Sequence, residues 1–214
     1  MRIYICGDST AASYGEGDTP FVGWGQLIGE YLPGVEIVNR AMAGRSTKTF
    51  LAEGRLAKIE AEIAPGDLLL IQFAHNDEGD KPERHTEPWT SFTENLNVFI
   101  DTALRHGAKP VLMTPICIRL WRDGVLQPTH GEYLKAIYAL AEARRVPLVD
   151  LYAYSFRLVS EMGDAASRAL YMHLEKGEYP IRPDGCADDT HTRRPGANLY
   201  ARAAAAQLRA LGLV

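Results

Sequence analysis

The chain has 214 residues, 46% of them hydrophobic and 23% charged, a balance that suits one globular domain over residues 1–214 whose core needs no staple. Its net charge of -4, without any block of Lys and Arg, speaks against a nucleic-acid partner, because phosphate binding needs clustered cations. Three scattered cysteines, Cys6, Cys117 and Cys186, argue against a disulfide framework and match no zinc spacing.

In chain order, the apolar run Ile3–Cys6 predicts a first strand. Met1-Arg2 leads straight into it, without the longer apolar region and small-residue cleavage site of a signal peptide. No apolar run approaches the ~20 residues that span a bilayer. The expectation is a cytoplasmic chain, or a mature one freed of its leader, with no membrane partner. Trp24–Leu32 reads as a helix stopped by Pro33-Gly34, and Glu36–Asn39 as a second strand. Arg55–Ile63 reads as a helix closed by Pro65-Gly66, and Asp67–Phe73 as a strongly apolar third strand. A long helix follows over Ser91–His106, with Leu96, Phe99, Ile100, Ala103 and Leu104 at helical spacing and Gly107 as the stop. Val111–Thr114 is a fourth strand, Glu132–Arg144 a helix, Leu148–Asp150 a short fifth strand, and Pro195–Leu211 a final Ala-rich helix. Nearly continuous apolar strands alternating with helices predict a parallel sheet covered on both faces. Polar stretches at Glu78–Pro88 and Cys117–His130 read as long loops.

The chemistry lies after the first three strands. Gly7-Asp8-Ser9-Thr10 follows the first, Ala43-Gly44-Arg45-Ser46 lies beyond the second, and Ala74-His75-Asn76-Asp77 follows the third. In open α/β sheets such loops meet in a crevice at the carboxyl ends of the strands. Ester hydrolysis through an acyl-enzyme needs what they offer: a hydroxyl that gives its proton to a base, and N–H donors for the oxyanion. Ser9 supplies the hydroxyl and its own N–H, Gly44 an unobstructed N–H, and Asn76 a side-chain amide. His191 is the base, oriented by Asp188 three residues earlier, with Asp189 in reserve. His75 is a competing imidazole. Asp8 and Asp77 read as turn and loop braces, and Trp24 as a packing residue.

These four blocks, with Gly23-Trp24-Gly25, Thr129-His130-Gly131-Glu132-Tyr133 and the stretch from Leu174 through Pro183 to His191, resemble the SGNH (GDSL-like) hydrolase superfamily, and within it the rhamnogalacturonan acetylesterases. The resemblance implies a three-layer α/β/α, flavodoxin-like fold with a five-stranded parallel sheet. It also implies acetyl removal from galacturonic acid units of rhamnogalacturonan. One departure is Ala74, where the third block usually carries glycine. Trp89 and Trp121, in the long loops, are candidates for sugar stacking; Arg45, Arg119 and Arg122 are candidates for galacturonate carboxylates, and His130 is structural or substrate-adjacent. No metal or organic cofactor is expected, and the partner expected is an acetylated oligosaccharide. The rival readings are an esterase, lipase or thioesterase of longer acyl chains, an acetylxylan-type esterase, a metal-dependent hydrolase built on His75, Asp77, Asp188 and His191, and a non-catalytic sugar-binding module.

Overall fold

A computed structural model describes residues 1–15 and 20–214. The expected strands form as parallel strands, Arg2–Gly7 (β1), Glu36–Asn39 (β2), Leu68–Gln72 (β3), Lys109–Met113 (β4) and Leu148–Val149 (β5), with β1, β3 and β4 largely buried and β2 partly exposed at the sheet edge. They form one all-parallel sheet in the order β2-β1-β3-β4-β5, with Ile3 level with Ile37 on one side and Leu68 on the other. Because the order runs outward both ways from β1, the connections after β1 and β3 leave toward opposite faces and open a crevice between them.

Both faces of the sheet are covered, as continuous hydrophobicity requires. Ile3, Ile5, Leu70 and Val111 pack against Trp24 of the short helix Trp24–Leu27 (α1) and against Tyr200 and Ala204 of Arg194–Ala210 (α7). Tyr4, Cys6, Ile71 and Leu112 pack on the other face against Phe50 of Thr47–Ala52 (α2), Ile59 of Arg55–Glu60 (α3), Phe99 of Thr93–Arg105 (α4) and Ile137 of Gly131–Arg144 (α5). Each large side chain buried in these layers contributes about 1.5–3 kcal/mol. Cys6 is a core residue, and all three cysteines are free thiols. No helix among the described residues is long and apolar enough to cross a membrane.

Several elements depart from the sequence reading. The helix expected over Trp24–Leu32 is one α-turn continued as a 3-10 turn, Ile28–Tyr31. The long helix expected from Ser91 begins at Thr93, after a wide turn over Pro88–Phe92. α2 was not expected; it is too short for periodicity to register, and a capping box between Ser46 and Thr49 starts it. Leu151–Ser167 (α6) was also missed, its pattern broken at Gly163, where φ is 76°. The Cys117–His130 loop contains a hairpin of two-residue strands, Trp121–Arg122 with Val125–Leu126. A second hairpin pairs Tyr171–Leu174 (β6) with Cys186–Thr192 (β7), so His191 lies on a strand rather than in a loop.

Candidate active site

Ser9 sits on a turn directly beyond β1 and is 8% exposed. Asp8 shapes that turn: its Oδ1 accepts from the Thr10 N–H at 2.9 Å and the Thr10 hydroxyl at 2.8 Å, and its carbonyl accepts from Ala12 N–H at 3.1 Å. Burial raises the Asp8 carboxyl above the usual range, and the two Thr10 bonds oppose that shift without cancelling it. The Gly23-Trp24-Gly25 block presses on the same turn. A Cβ at Gly23 would lie 2.2 Å from the Ala12 carbonyl oxygen, and one at Gly25 2.4 Å from that of Ala11, so no side chain fits at either position. Trp24 is buried and its indole N–H donates to Gln72 Oε1 at 2.8 Å, so it packs beneath the turn.

His191 reaches this turn through an irregularity in the β6–β7 ladder. Thr192 is opposite Tyr171 and Asp188 is opposite the next residue, Met172, so Asp189, Thr190 and His191 have no partner and bulge out. Bulges of this kind re-aim side chains beside active sites. Asp188 closes the bulge, its Oδ1 accepting from the N–H groups of Thr190 at 2.8 Å and His191 at 3.0 Å. Its Oδ2 accepts from His191 Nδ1 at 2.7 Å. Burial alone would raise the Asp188 carboxyl, but the hydrogen bonds from the His191 side chain, its backbone and Thr190 outweigh it and hold the group at about 2. A carboxylate can only accept, so the proton sits on Nδ1 and the Nε2 lone pair accepts from Ser9 Oγ at 2.8 Å. Phe21 braces the ring edge-on, with centroids 5.1 Å apart.

The other donors expected for an oxyanion lie on the turns beyond β2 and β3, the two strands that flank β1. Gly44 has φ +78°, a conformation that glycine adopts freely. Among the described residues, no protein acceptor takes the N–H of Ser9 or of Gly44. Asn76 donates one Nδ2 proton to the Arg45 carbonyl at 3.1 Å and accepts at Oδ1 from Arg84 Nη1 at 3.2 Å. A guanidinium only donates and a carbonyl only accepts, so a flipped amide would lose both bonds. The orientation is fixed, and the second Nδ2 proton stays available. Arg84, which also covers Gly44, has no carboxylate partner among the described residues. The sequence reading missed it. The only signal was a lone Arg inside the polar loop after the third block. Ala74 takes φ 142°, where a Cβ is strained, at the position that family members usually fill with glycine.

The remaining expected residues are elsewhere. Arg119 was expected at the substrate; it is 3% exposed and its guanidinium donates to Ser167 Oγ at 3.0 Å, to Asp189 Oδ1 at 2.5 Å and to the carbonyl and carboxylate of Asp164. Buried and held by four hydrogen bonds, it is not presented to a sugar carboxylate. Asp189, the reserve carboxylate, pairs with Arg119 and accepts from His173 Nε2 at 2.7 Å, not from His191. His130 is buried, its ring held between Glu78 Oε1 and the Ile116 carbonyl, both at 2.9 Å, so its place is structural. Arg45 forms an ion pair with Glu53 and reaches the site through its carbonyl alone. Trp121 packs in a cluster with Cys117 and Leu126, and its indole nitrogen is buried. Trp89 is 51% exposed and donates to Glu132 Oε2, which leaves its ring face open to a ligand. Arg122 is exposed. The metal-hydrolase set is not assembled: the Asp77 carboxylate is taken up by Thr47 and Thr86, and Asp188 by His191. The Asp188–His191–Ser9 row gives a serine hydroxyl an imidazole that can take its proton, and the N–H groups of Ser9 and Gly44 are left without protein acceptors among the described residues.

Comparison with known proteins agrees with that chemistry. A family model described as "GDSL-like Lipase/Acylhydrolase family" matches residues 5–199. A rhamnogalacturonan acetylesterase of Bacillus subtilis is 39% identical over 100% of this chain and 91% of its own length. A probable rhamnogalacturonan acetylesterase of the same organism is 38% identical over 99% and 94%. The crystal structure of the Bacillus subtilis protein YxiM superposes with a TM-score of 0.83 at 29% identity, covering 98% of this chain and 56% of that one.

Proposed function

We propose, for a chain that belongs to the GDSL-like Lipase/Acylhydrolase family and is by that membership a serine carboxylic ester hydrolase, the removal of acetyl groups from rhamnogalacturonan-type (pectic) oligosaccharides. The observation that carries the proposal is the unbroken row from Asp188 Oδ2 through His191 to Ser9 Oγ, with contacts of 2.7 and 2.8 Å. The acetyl and carbohydrate part rests on the two acetylesterase relatives, which align over the whole chain.

The geometry supports the following mechanism. Ser9 Oγ attacks the acetyl carbonyl while His191 Nε2 takes its proton. Asp188 stabilises the imidazolium by charge and fixes its tautomer. The negative charge that develops on the carbonyl oxygen is received by the N–H groups of Ser9 and Gly44 and the free Nδ2 proton of Asn76; one such donor contributes on the order of 10²–10³ in rate. The imidazolium then protonates the departing sugar hydroxyl. A water activated by the same imidazole cleaves the acetyl-serine and releases acetate.

The test is acetate release from acetylated rhamnogalacturonan, acetylated xylan and their oligosaccharides, beside p-nitrophenyl esters of increasing chain length. The proposal expects the acetylated pectic substrates to lead and activity to fall beyond acetate. A preference for chains longer than butyrate would defeat the acetyl assignment, and equal turnover of xylan would defeat the pectic one.

A further inference from the structure

We propose that His75, Glu78 and His130 bind one divalent transition-metal ion, zinc by their donor chemistry, at a site separate from the Ser9–His191–Asp188 row. One ligand atom from each residue lies within 4.8 Å of those of the other two. Two of the side chains come from the turn after β3 that carries Asn76, and the third from the residue just before α5, so an ion there would tie that turn to the helix.

His130 is already held as a ligand would be. Its Nε2 faces the Ile116 carbonyl at 2.9 Å, and a carbonyl only accepts, so Nε2 carries the proton. That leaves the Nδ1 lone pair facing Glu78 Oε1 at 2.9 Å. Two acceptors at this distance need a cation between them, a proton or a metal ion. An imidazole whose far nitrogen donates to a backbone carbonyl is the usual outer support of a zinc ligand.

His75 supplies a second, independent observation. Its ring stands edge-on to that of His130, with centroids 4.5 Å apart. Both of its nitrogens are buried and have no hydrogen-bond partner among the described residues. A buried polar nitrogen without a partner is destabilising, and coordination satisfies it. Two imidazoles and a carboxylate are a donor set that zinc accepts, with a fourth position left for water. Bonds of ~2.0–2.1 Å place tetrahedral ligand atoms about 3.3 Å apart, so Glu78, at 2.9 Å from His130 Nδ1, would give way by a few tenths of an ångström and His75 would close by roughly an ångström. The Glu78 side chain is partly exposed, which gives the ion a way in.

The site is independent of the esterase reading and takes no part in its steps. The experiment is titration of chelator-treated protein with zinc chloride alone, followed by calorimetry and by melting temperature, with cobalt(II) absorption as a second measure of coordination. The wild type should bind one ion per chain and melt at a higher temperature with zinc. His75→Phe and Glu78→Gln, each checked for native circular dichroism, should weaken binding by about tenfold or more and lose the thermal gain. His191→Ala should bind zinc as the wild type does. The proposal is overturned if the wild type binds no zinc, if either ligand variant binds undiminished, or if His191→Ala removes the binding.

Discussion

In the proposed mechanism Ser9 is reactive only because its proton has somewhere to go. The hydroxyl donates at 2.8 Å to the Nε2 lone pair, and the tautomer is set by Asp188, held at about 2 so that it remains a carboxylate across the working range. An acid limb in kcat/KM within that range would therefore not come from Asp188. Asp188→Asn should lower kcat on the order of 10³–10⁴ by stabilising the wrong tautomer, and Asp189→Asn should cost far less. Steady-state kinetics of the two variants checks the ranking, and the reverse order would assign the orienting carboxylate to Asp189. Asn76→Ala should lower kcat by about 10²–10³. Arg84→Met, which releases the Asn76 amide from one of its two one-way partners, should lower kcat by a smaller factor. In the double variant the Arg84 effect should all but vanish, because its role passes through Asn76; additive losses would give Arg84 a separate role. The blocks of the site were legible in the sequence because the chemistry demands a hydroxyl, a bare N–H, an amide and an imidazole, each next to a strand end or beside a carboxylate. Arg84 was not legible, since its meaning comes from one contact with a residue eight positions back in a loop that has no periodicity.

At the scale of elements, the decisive feature is the three-residue bulge of β7. It carries His191 out of the ladder toward Ser9, and Arg119 anchors it from behind: the Arg119 N–H donates to the Asp189 carbonyl at 2.8 Å and its guanidinium grips the Asp189 side chain. Arg119→Met should therefore let the bulge drift. Misplacement of about 1 Å at a reacting group costs on the order of 10² in rate, so kcat should fall by about 10- to 100-fold with KM nearly unchanged. A residue that binds substrate would show the opposite split, a higher KM with kcat kept. The sequence could not announce this hairpin. Cys186–Thr192 has no apolar alternation, because Asp188 and His191 bond to each other and to Ser9 while Asp189 pairs with Arg119. The same limit applies to α6, whose helical pattern stops at Gly163, and to α2, which is only six residues long. The five central strands and α3, α4, α5 and α7 were legible within a few residues of their ends, because burial on one or both faces writes a periodic signal.

For the whole molecule, the order β2-β1-β3-β4-β5 decides where the reaction can take place. Ser9 after β1 and Asn76 after β3 flank the position where the order reverses, and the β6–β7 hairpin brings His191 across it. The crevice floor also shapes stability. Burial raises the Asp77 carboxyl, against hydrogen bonds from Thr47 and Thr86, to about 7. The unfolded chain ionises that group near ~3.9, so folding takes up a proton between these values, and stability is greatest below them and falls as pH rises toward 7. Asp77→Asn keeps an acceptor for the Thr47 and Thr86 donors and should remove this slope; melting curves from acid to neutral pH on both proteins check it. The central claim is that the acetyl group passes through Ser9, and the measurement closest to it is mass spectrometry of peptides from enzyme acid-quenched during turnover of p-nitrophenyl acetate. The account predicts an acetyl increment on the peptide that contains Ser9. Steady turnover with acetyl on another residue, or undiminished turnover by Ser9→Ala, would contradict it.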